Sequence, residues 1–563
     1  MDVIAALDVG TTGVRAIAFD LTGQVVKVEY RELPKSYPKP GWVEQDPLQL
    51  RDLSFEVLSS LAAGCMELDL NILSLGITNQ RETVVCWGRD SGIPLYNAIV
   101  WQDRRTVDYC RQLKSSEYGE VIRRNTGLLP DPYFSATKIK WILDNVVDAD
   151  VASKGLAFGT VDAYIIWCLT GGEAGGAFVT DPSNASRTML YDIYEMAWSD
   201  ELCDMFSIKK SWLPEVAPSC GILGEVDRAL LGENLKGLQI SGVLGDQQAA
   251  LFGHGCYHAG MAKATYGTGT FLLINTGGTP AGTKEQRIPD GLVASVAWDL
   301  GAKGIGGAGS ARGADDGGGA DDAGGAEGVG SAKGIGNAHG AETGDAPRVG
   351  YVLEGSIFST GATIQWLRDQ LNVLEDASEI SLLASRVDDS NGLYIVPAFS
   401  GLGSPWWDPR ARGTIIGISQ GVTREHLARA TLESIAYQVR DIAEHIRDSH
   451  DTSGGSPQPG YSINQLRVDG GVSASNELLQ MQADQLGIPV MRPVNTECSA
   501  LGAAQIAALG AGVYGTLDEV GSMWKLDIQM QPGSERDIYD VGYRGWKLAL
   551  ERSLAWSQDG EEL

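Results

Sequence analysis

An α/β fold of two large domains is what the sequence predicts, and three observations predict it. Strand-like and helix-like stretches alternate along the chain, which suits sheets covered by helical layers. The 563 residues exceed what one hydrophobic core holds, so two large domains and a tail are expected, at roughly 100–250 residues each. Glycine-rich turns also recur at strand ends, at Gly10–Gly13, Gly267–Gly269 and Gly470–Gly471.

Taken in order, "VIAALDVG" reads as a strand that ends on Asp8 and a glycine, and "GVRAIAFDLTGQVVKVEYRE" as its hairpin partner followed by a further strand. "DPLQLRDLSFEVLSSLAAG" has helical spacing, with Asp46 as cap and Pro47 in the first turn. Ile72 to Ile77 reads as a buried strand, rich in branched apolar residues. It runs straight into Gln80, Arg81 and Glu82 before "TVVCW" resumes the apolar pattern. By themselves two adjacent opposite charges read as a solvated turn. "ISGVLGDQQAALFGHG" and "QLRVDGGVSASNELLQMQADQLG" each read strand, turn, helix, and "TREHLARATLESIAYQVRDIAEHIRD" is a long amphipathic helix.

Residues 301–346 interrupt this alternation. Of those 46 residues 17 are Gly and 11 are Ala, and AKGIG occurs at 302–306 and again at 332–336. Such a stretch has little apolar area to offset an ordering cost of about 1–2 kcal/mol per residue, so a disordered insert is expected. Its GxGxxG match at Gly304, Gly306 and Gly309 carries no weight, because neither a strand nor a helix flanks it. "GLVASVAWDL" and "VGYVLEGSIF" on either side read as paired strands with the insert at their tip.

Composition narrows the function classes. Hydrophobic content of 43% and charged content of 21% are ordinary for a soluble globular protein. A net charge of −28 leaves no basic footprint for nucleic acid or an anionic membrane. The eight cysteines are scattered without a CxxC pair, which fits reduced thiols better than a disulfide framework. "MDVIAALDVG" lacks the basic and long apolar regions of a signal peptide, and no run of 18 apolar residues occurs. No stable membrane insertion and a cytoplasmic location are expected.

No GxxxxGK[ST] loop is present, so a nucleotide would be held by another device. In "LDVGTTGVR" a strand delivers Asp8, and the turn that follows offers backbone N–H groups and hydroxyls to phosphate oxygens. Asp8 sits where a Mg²⁺ ion needs oxygen ligands, and Arg15 adds a cation. "TYGTGTF" is a second Gly-Thr-Gly turn, and in "VDGGVSASN" Gly470 and Gly471 remove the Cβ atoms that would block a flat ring.

These three loops, in this order, resemble the two phosphate loops and the adenosine loop of the actin/hexokinase/heat-shock-protein ATPase superfamily. "GLGSPWWDPRARG" resembles the signature of the FGGY carbohydrate kinases. "YPKPGWVEQDP", "GITNQRET", "NAIVWQDRR", "RNTGLLPDPYFSATKIKWILD", "GTVDAYIIW", "PSNASRTML" and "GDQQAALFG" are similar to the glycerol kinases of that family. The resemblance covers nearly the whole chain outside 301–346. It implies two actin-like (ribonuclease H-like) domains flanking a central cleft, spanning residues 1–254 and 260–510, with a C-terminal helical extension over 511–563.

The resemblance also implies roles. Arg81 and Glu82 become a polyol clamp, the guanidinium donating to glycerol hydroxyls and the carboxylate accepting. Tyr133 adds a hydroxyl, Trp101 and Phe271 pack on the carbon chain, and Gln247 is a further contact. Asp246 matches the general base, with a helix N-cap as its structural alternative. Thr11, Thr12, Gly13, Arg15, Thr268, Gly361, Gln365, Gly471 and Ser475 match ATP-contacting positions, with Mg²⁺ at Asp8. The partners implied are glycerol and MgATP, in a homodimer or homotetramer.

Some positions depart from the pattern. Gly13 lacks a hydroxyl common at its position, and Ser475 stands where many relatives carry Asn against adenine. "LLGENLKGLQI" lacks the Gly-Gly-Thr-Arg element through which some relatives bind fructose 1,6-bisphosphate, and a phosphorylated histidine loop is also missing. His254 and His258, with Cys256 between them, read as helix-end residues rather than metal ligands. A pentulose or gluconate kinase would carry Gln-Met-His where Gln80-Arg81-Glu82 stands, and an actin-like scaffold would have no use for Asp246 or the clamp.

Overall fold

The structure, a computed structural model, describes residues 1–148, 155–227, 235, 237–280, 288–301, 346–451, 462–534 and 536–557. Nearly all of the insert 301–346 and most of the loop "LLGENLKGLQI" lie outside them.

The first half is built on a six-stranded sheet. β1 (Asp2–Val9), β2 (Gly13–Asp20) and β3 (Val25–Glu32) form an antiparallel meander. β4 (Asn71–Asn79) joins β1 in parallel, and β5 (Cys220–Glu225) and β6 (Gln239–Gly245) complete the order β5-β6-β4-β1-β2-β3. The second half repeats this plan. β7 (Met261–Tyr266), β8 (Thr270–Gly277), β9 (Val293–Asp299) and β10 (Val349–Ile357) precede β11 (Gln465–Asp469), β12 (Val490–Pro493) and β13 (Leu526–Met530). Their order is β9-β10-β8-β7-β11-β12-β13, with β11 parallel to β7 as β4 is to β1. The strands on either side of the insert do pair antiparallel, as β9 and β10.

Helices cover both sheets. α1 (Pro47–Glu67) starts as expected, with Asp46 accepting from the Leu48 N–H. α2 (Ser135–Asn145) follows in the first half, and α3 (Asp246–Gly253) leaves β6 without a loop. The second half adds α4 (Gly361–Asp369), α5 (Arg424–Asp451), α6 (Asn476–Leu486) and α7 (Cys498–Gly510). α8 (Arg536–Glu551) lies in the tail. The 511–563 segment thus carries a strand as well as helices, since β13 pairs with β12. Asp441 of α5 accepts from Tyr543 and Trp546, which fastens α8 to the body.

The central strands are buried on both faces. Val3, Ala5, Leu7 and Val9 pack with Leu50, Val57, Leu58 and Leu61 of α1, while Ile4 and Ala6 join Ala503 and Ala507 of α7. That second cluster also holds Leu273, Trp298 and Val352 of the other sheet, so α3 and α7 form the shared core between the halves. α7 approaches closely because Gly76 and Gly242 have no side chains there: a Cβ on either would strike its backbone. Among the described residues no helix is long and apolar enough to cross a membrane. All eight cysteines are free thiols.

Candidate active site

The charged turn after β4 is not solvated. Gln80, Arg81 and Glu82 are 0%, 2% and 1% exposed. Charges this deep need partners, and Arg81 has them. Its Nη1 and Nη2 donate to the two oxygens of Glu354 on β10, at 2.6 and 3.1 Å. Nη1 also donates to Gln248 and Nη2 to the Tyr133 hydroxyl, at 3.1 and 3.0 Å. The Nε–H faces Asp246 Oδ1 at 3.3 Å and Glu82 Oε1 at 3.5 Å. Arg187 closes the ring, donating to Glu82 at 2.6 Å and to Glu354 at 3.0 Å. Gly245 makes room, since a Cβ on it would lie 2.7 Å from Arg81 Cγ.

These contacts set the electrostatics. Burial alone would raise the Glu354 carboxyl, but Arg187, Arg81 and the Arg81 hydrogen bond outweigh it and hold it at about 2. Two guanidiniums therefore face two buried carboxylates, with Asp246 as the third. Asp246 has a side chain 30% exposed, and its Oδ1 is without a hydrogen-bond partner. The surrounding walls raise its carboxyl above the usual range, against the pull of Arg81 and with Glu82 adding to the rise. A carboxylate so placed is ready to take a proton. The N-cap of α3 is Gly245 and Asp246 is its first residue, so the N-cap alternative for Asp246 is corrected.

The apolar wall also assembles. The Trp101 ring lies 5.5 Å from Tyr133 and 6.4 Å from Phe271, and the Arg81 guanidinium lies 5.9 Å from Phe271. Gln247 follows Asp246 and accepts from the buried Lys263. All seven residues that the resemblance assigns to a polyol pocket thus stand in one connected group.

On the nucleotide side the two hairpin turns match. Gly10 N–H donates to Gly13 O in one, and Gly267 N–H to Gly269 O in the other. Trp101 Nε1 donates to Thr11 Oγ1 at 2.8 Å, tying the first turn to the polyol group. Thr12 and Thr268 are exposed. Gly13 is buried under Tyr30, whose ring fills the space a side chain would need. Arg15 reaches Glu497 at 2.6 Å and Asp8 at 3.4 Å. Burial raises Asp8 to about 6, with Arg15 opposing and Asp246 and Glu497 adding to the rise. Asp8, with Asp246 near enough to raise it, is a hard oxygen donor of the kind Mg²⁺ prefers, so its chemistry fits that ion.

The second turn gathers the remaining positions. Gly361 N–H donates to Gly267 O at 3.0 Å, which sets the start of α4 against the turn, with Gln365 exposed one turn on. Gly470 has φ +83 and faces Tyr266 O, while an added Cβ at Gly471 would meet nothing within 4 Å. Ser475 is the N-cap of α6; its hydroxyl accepts from Leu478 N–H and from Ser381. That occupies it structurally.

Sequence reading missed Glu354, Arg187, Gln248 and Lys263. Glu354 stood out in one respect, as a lone carboxylate inside the apolar run "VGYVLEGSIF". His254 proves to be the C-cap of α3, with Nε2 3.3 Å from Asp469 and Trp524 donating to its Nδ1.

Residues 3–253 match the FGGY family of carbohydrate kinases, N-terminal domain, and residues 331–511 its C-terminal domain. A glycerol kinase of Caldanaerobacter subterraneus subsp. tengcongensis is 43% identical over 560 residues, covering 99% of each chain. Glycerol kinase 2 of Thermotoga maritima is 43% identical over 560 residues, 99% of this chain and 100% of that one. The solved structure of Plasmodium falciparum glycerol kinase with ADP superposes with a TM-score of 0.82 at 30% identity, covering 98% of both chains. A gluconate kinase from Lactobacillus acidophilus shares the fold, with a TM-score of 0.79 at 20% identity over 99% of each chain.

Proposed function

We infer the reaction from a premise that the family matches supply: the chain belongs to the FGGY family of carbohydrate kinases. The reaction is ATP-dependent phosphorylation of glycerol to sn-glycerol 3-phosphate. The observation that carries this choice is the buried Arg81, whose Nε–H faces Glu82 at 3.5 Å and Asp246 at 3.3 Å. A small neutral triol offers no charge to grip, so selection rests on fixed donors and acceptors. Buried polar groups left unpaired by a wrong substrate make that selection steep.

The residues divide the work. Glu82 accepts from glycerol hydroxyls, and the Arg81 Nε–H, left over once Glu354, Gln248 and Tyr133 have taken its other donors, donates to one. Trp101 and Phe271 cover the carbon chain. Asp246 takes the proton of the attacking hydroxyl as the phosphoryl group arrives. The backbone and hydroxyls of Thr11, Thr12, Gly13 and Thr268 hold the phosphates, with Arg15 nearby. Gly361, Gln365 and Gly471 form the adenosine side, and Ser475 supports the helix beneath it. Asp8 would hold Mg²⁺, which neutralises phosphate charge when bound. Closure of two domains over the cleft excludes water that would hydrolyse ATP.

A coupled assay of ADP release with glycerol, xylulose and gluconate tests the reading. Turnover on glycerol well above the other two is expected; preference for either sugar overturns it. The resemblance further points to a cytoplasmic homodimer or homotetramer, which sedimentation measures.

A further inference from the structure

Lys263 lies on β7 with no exposed surface, although an ammonium taken from water costs several kcal/mol. Its close partners are neutral: Nζ donates to Gln247 Oε1 at 2.5 Å and to Thr265 Oγ1 at 2.9 Å. An ammonium has three donors and no acceptor. The Gln247 atom against it is therefore the carbonyl oxygen, and the amide cannot be flipped. With that oxygen on the ammonium, the NH₂ end of the Gln247 amide is the one turned away from Lys263. Thr265 in turn stands opposite Asp469, the residue before Gly470, where β7 runs parallel to β11, so the ammonium is tied to the strand beside the one that carries the adenosine loop.

We propose that Lys263 is a positioning residue for the kinase reaction: it locks the Gln247 amide so that Gln247 turns its NH₂ donors, rather than its carbonyl oxygen, to the substrate hydroxyl. The assignment rests on the reading of the site as a polyol pocket, and it completes that pocket's logic. Glu82 and Asp246 supply acceptors, while Arg81 spends most of its donors on Glu354, Gln248 and Tyr133. A donor fixed next to the base orients the attacking oxygen's lone pair while its proton points at Asp246.

The lock is protonation-dependent. Burial pulls Lys263 down to about 8, with Asp469, Glu354 and Asp246 favouring the ammonium and Arg81 opposing it. His254, Cys256 and Cys498 also lie within its field. Above that pH the neutral amine gains a lone pair, can accept from the amide NH₂, and the orientation is lost. Wild-type KM for glycerol is then expected to rise as pH climbs through about 8.

The test measures kcat and KM for glycerol between pH 6.5 and 9.5 in wild type, Lys263→Met, Gln247→Leu and the double variant. Lys263→Met is expected to raise KM for glycerol about tenfold or more, the scale of lost charge-assisted hydrogen bonds, with kcat changed less. Its KM is expected not to rise further at alkaline pH, and the double variant is expected to match Gln247→Leu alone. Additive losses in the double variant, or an unchanged KM in Lys263→Met, overturn the proposal. If Lys263→Met does not fold, the wild-type profile decides, since a flat KM across pH 7–9.5 excludes the lock. Wild type that turns glycerol over normally beside an indifferent Lys263→Met removes only this inference; wild type inactive on glycerol removes the reading of the pocket with it.

Discussion

The two halves of the molecule repeat one sheet plan and yet finish corresponding strands in opposite ways. β4 runs parallel to β1 with Asn79 opposite Val9, and β11 runs parallel to β7 with Asp469 opposite Thr265. After β4 come Gln80, Arg81 and Glu82, all buried and held by side chains. After β11 come Gly470 and Gly471, with no side chains at all. The hairpin turns after β1 and β7, by contrast, are alike, each a glycine-threonine loop closed by a glycine N–H to a glycine carbonyl. The same backbone device thus serves twice, and on the proposed assignment it meets the phosphate chain both times. The same topological position is filled with charge in one half and emptied in the other, which suits the triol and the flat ring proposed for them.

The charged end is the easier one to break. Asp246→Asn keeps the shape of the side chain but cannot take a proton, so turnover is expected to fall about 10²–10⁴-fold while nucleotide still binds. Stopped or continuous assays with a nucleotide-binding titration check this; near-normal turnover would put the base elsewhere. Glu354→Gln comes next. It leaves the Arg81 and Arg187 guanidiniums without their shared carboxylate, and breaking such a buried pair costs about 3–5 kcal/mol. The melting temperature is expected to drop accordingly. Because Glu354 titrates at about 2 when folded, below its usual 4.5, its contribution is complete above 4.5 and lost as pH falls through about 2. The gap between wild type and Glu354→Gln should therefore narrow in acid. A constant gap would mean that shape, not charge, is what Glu354 supplies.

Legibility in the sequence follows the same division. The three glycine turns and the strand–helix units were readable because each is a local pattern, complete within about ten residues, whereas the role proposed for Asp246 came from the resemblance. The paired strands around the insert were readable for the same reason. Glu354 was not, because its meaning comes from Arg81, 273 residues earlier. Arg187 meets Glu82 across 105 residues, and Lys263 acquires its place only when β7 packs against α3. The Arg81–Glu82 pair illustrates the limit: its residues alone favoured a solvated turn, and only the fold supplies the partners that make burial affordable. Ser475 has a local role that the resemblance did not carry, since its hydroxyl caps α6.

The glycine end yields a smaller and differently shaped effect. Gly471→Ala adds a methyl group where nothing lies within 4 Å, so stability should stay within about 0.5 kcal/mol of wild type. KM for ATP is expected to rise about tenfold, because the methyl intrudes on the ring's place. Gly470→Ala is its control: φ +83 and Tyr266 O at 2.5 Å from the new Cβ make it a folding defect first. If both variants lose stability equally, or Gly471→Ala leaves KM for ATP unchanged, the emptied strand end is not an adenosine seat.

The smallest effect is expected from the largest change, replacement of 301–346 by a short Gly-Ser turn. The segment sits between β9 and β10 of the second sheet, far along the chain from either end of the comparison. The described residues close the hairpin base by themselves. Asp299 pairs with Val349, and Leu300 N–H donates to Arg348 O at 2.9 Å. The register of β10, and with it the place of Glu354, is thus fixed on the sheet side of the insert, also by pairing with β8. For a loop that makes no contact with the body, shortening from about 47 to about 4 residues recovers about 2 kcal/mol by the logarithmic closure law. We therefore expect a melting temperature unchanged or raised by a few degrees, with glycerol turnover and KM for ATP unaltered. A fall in melting temperature and turnover together would show that the segment packs on the enzyme, and that β10 depends on it to hold Glu354 against Arg81.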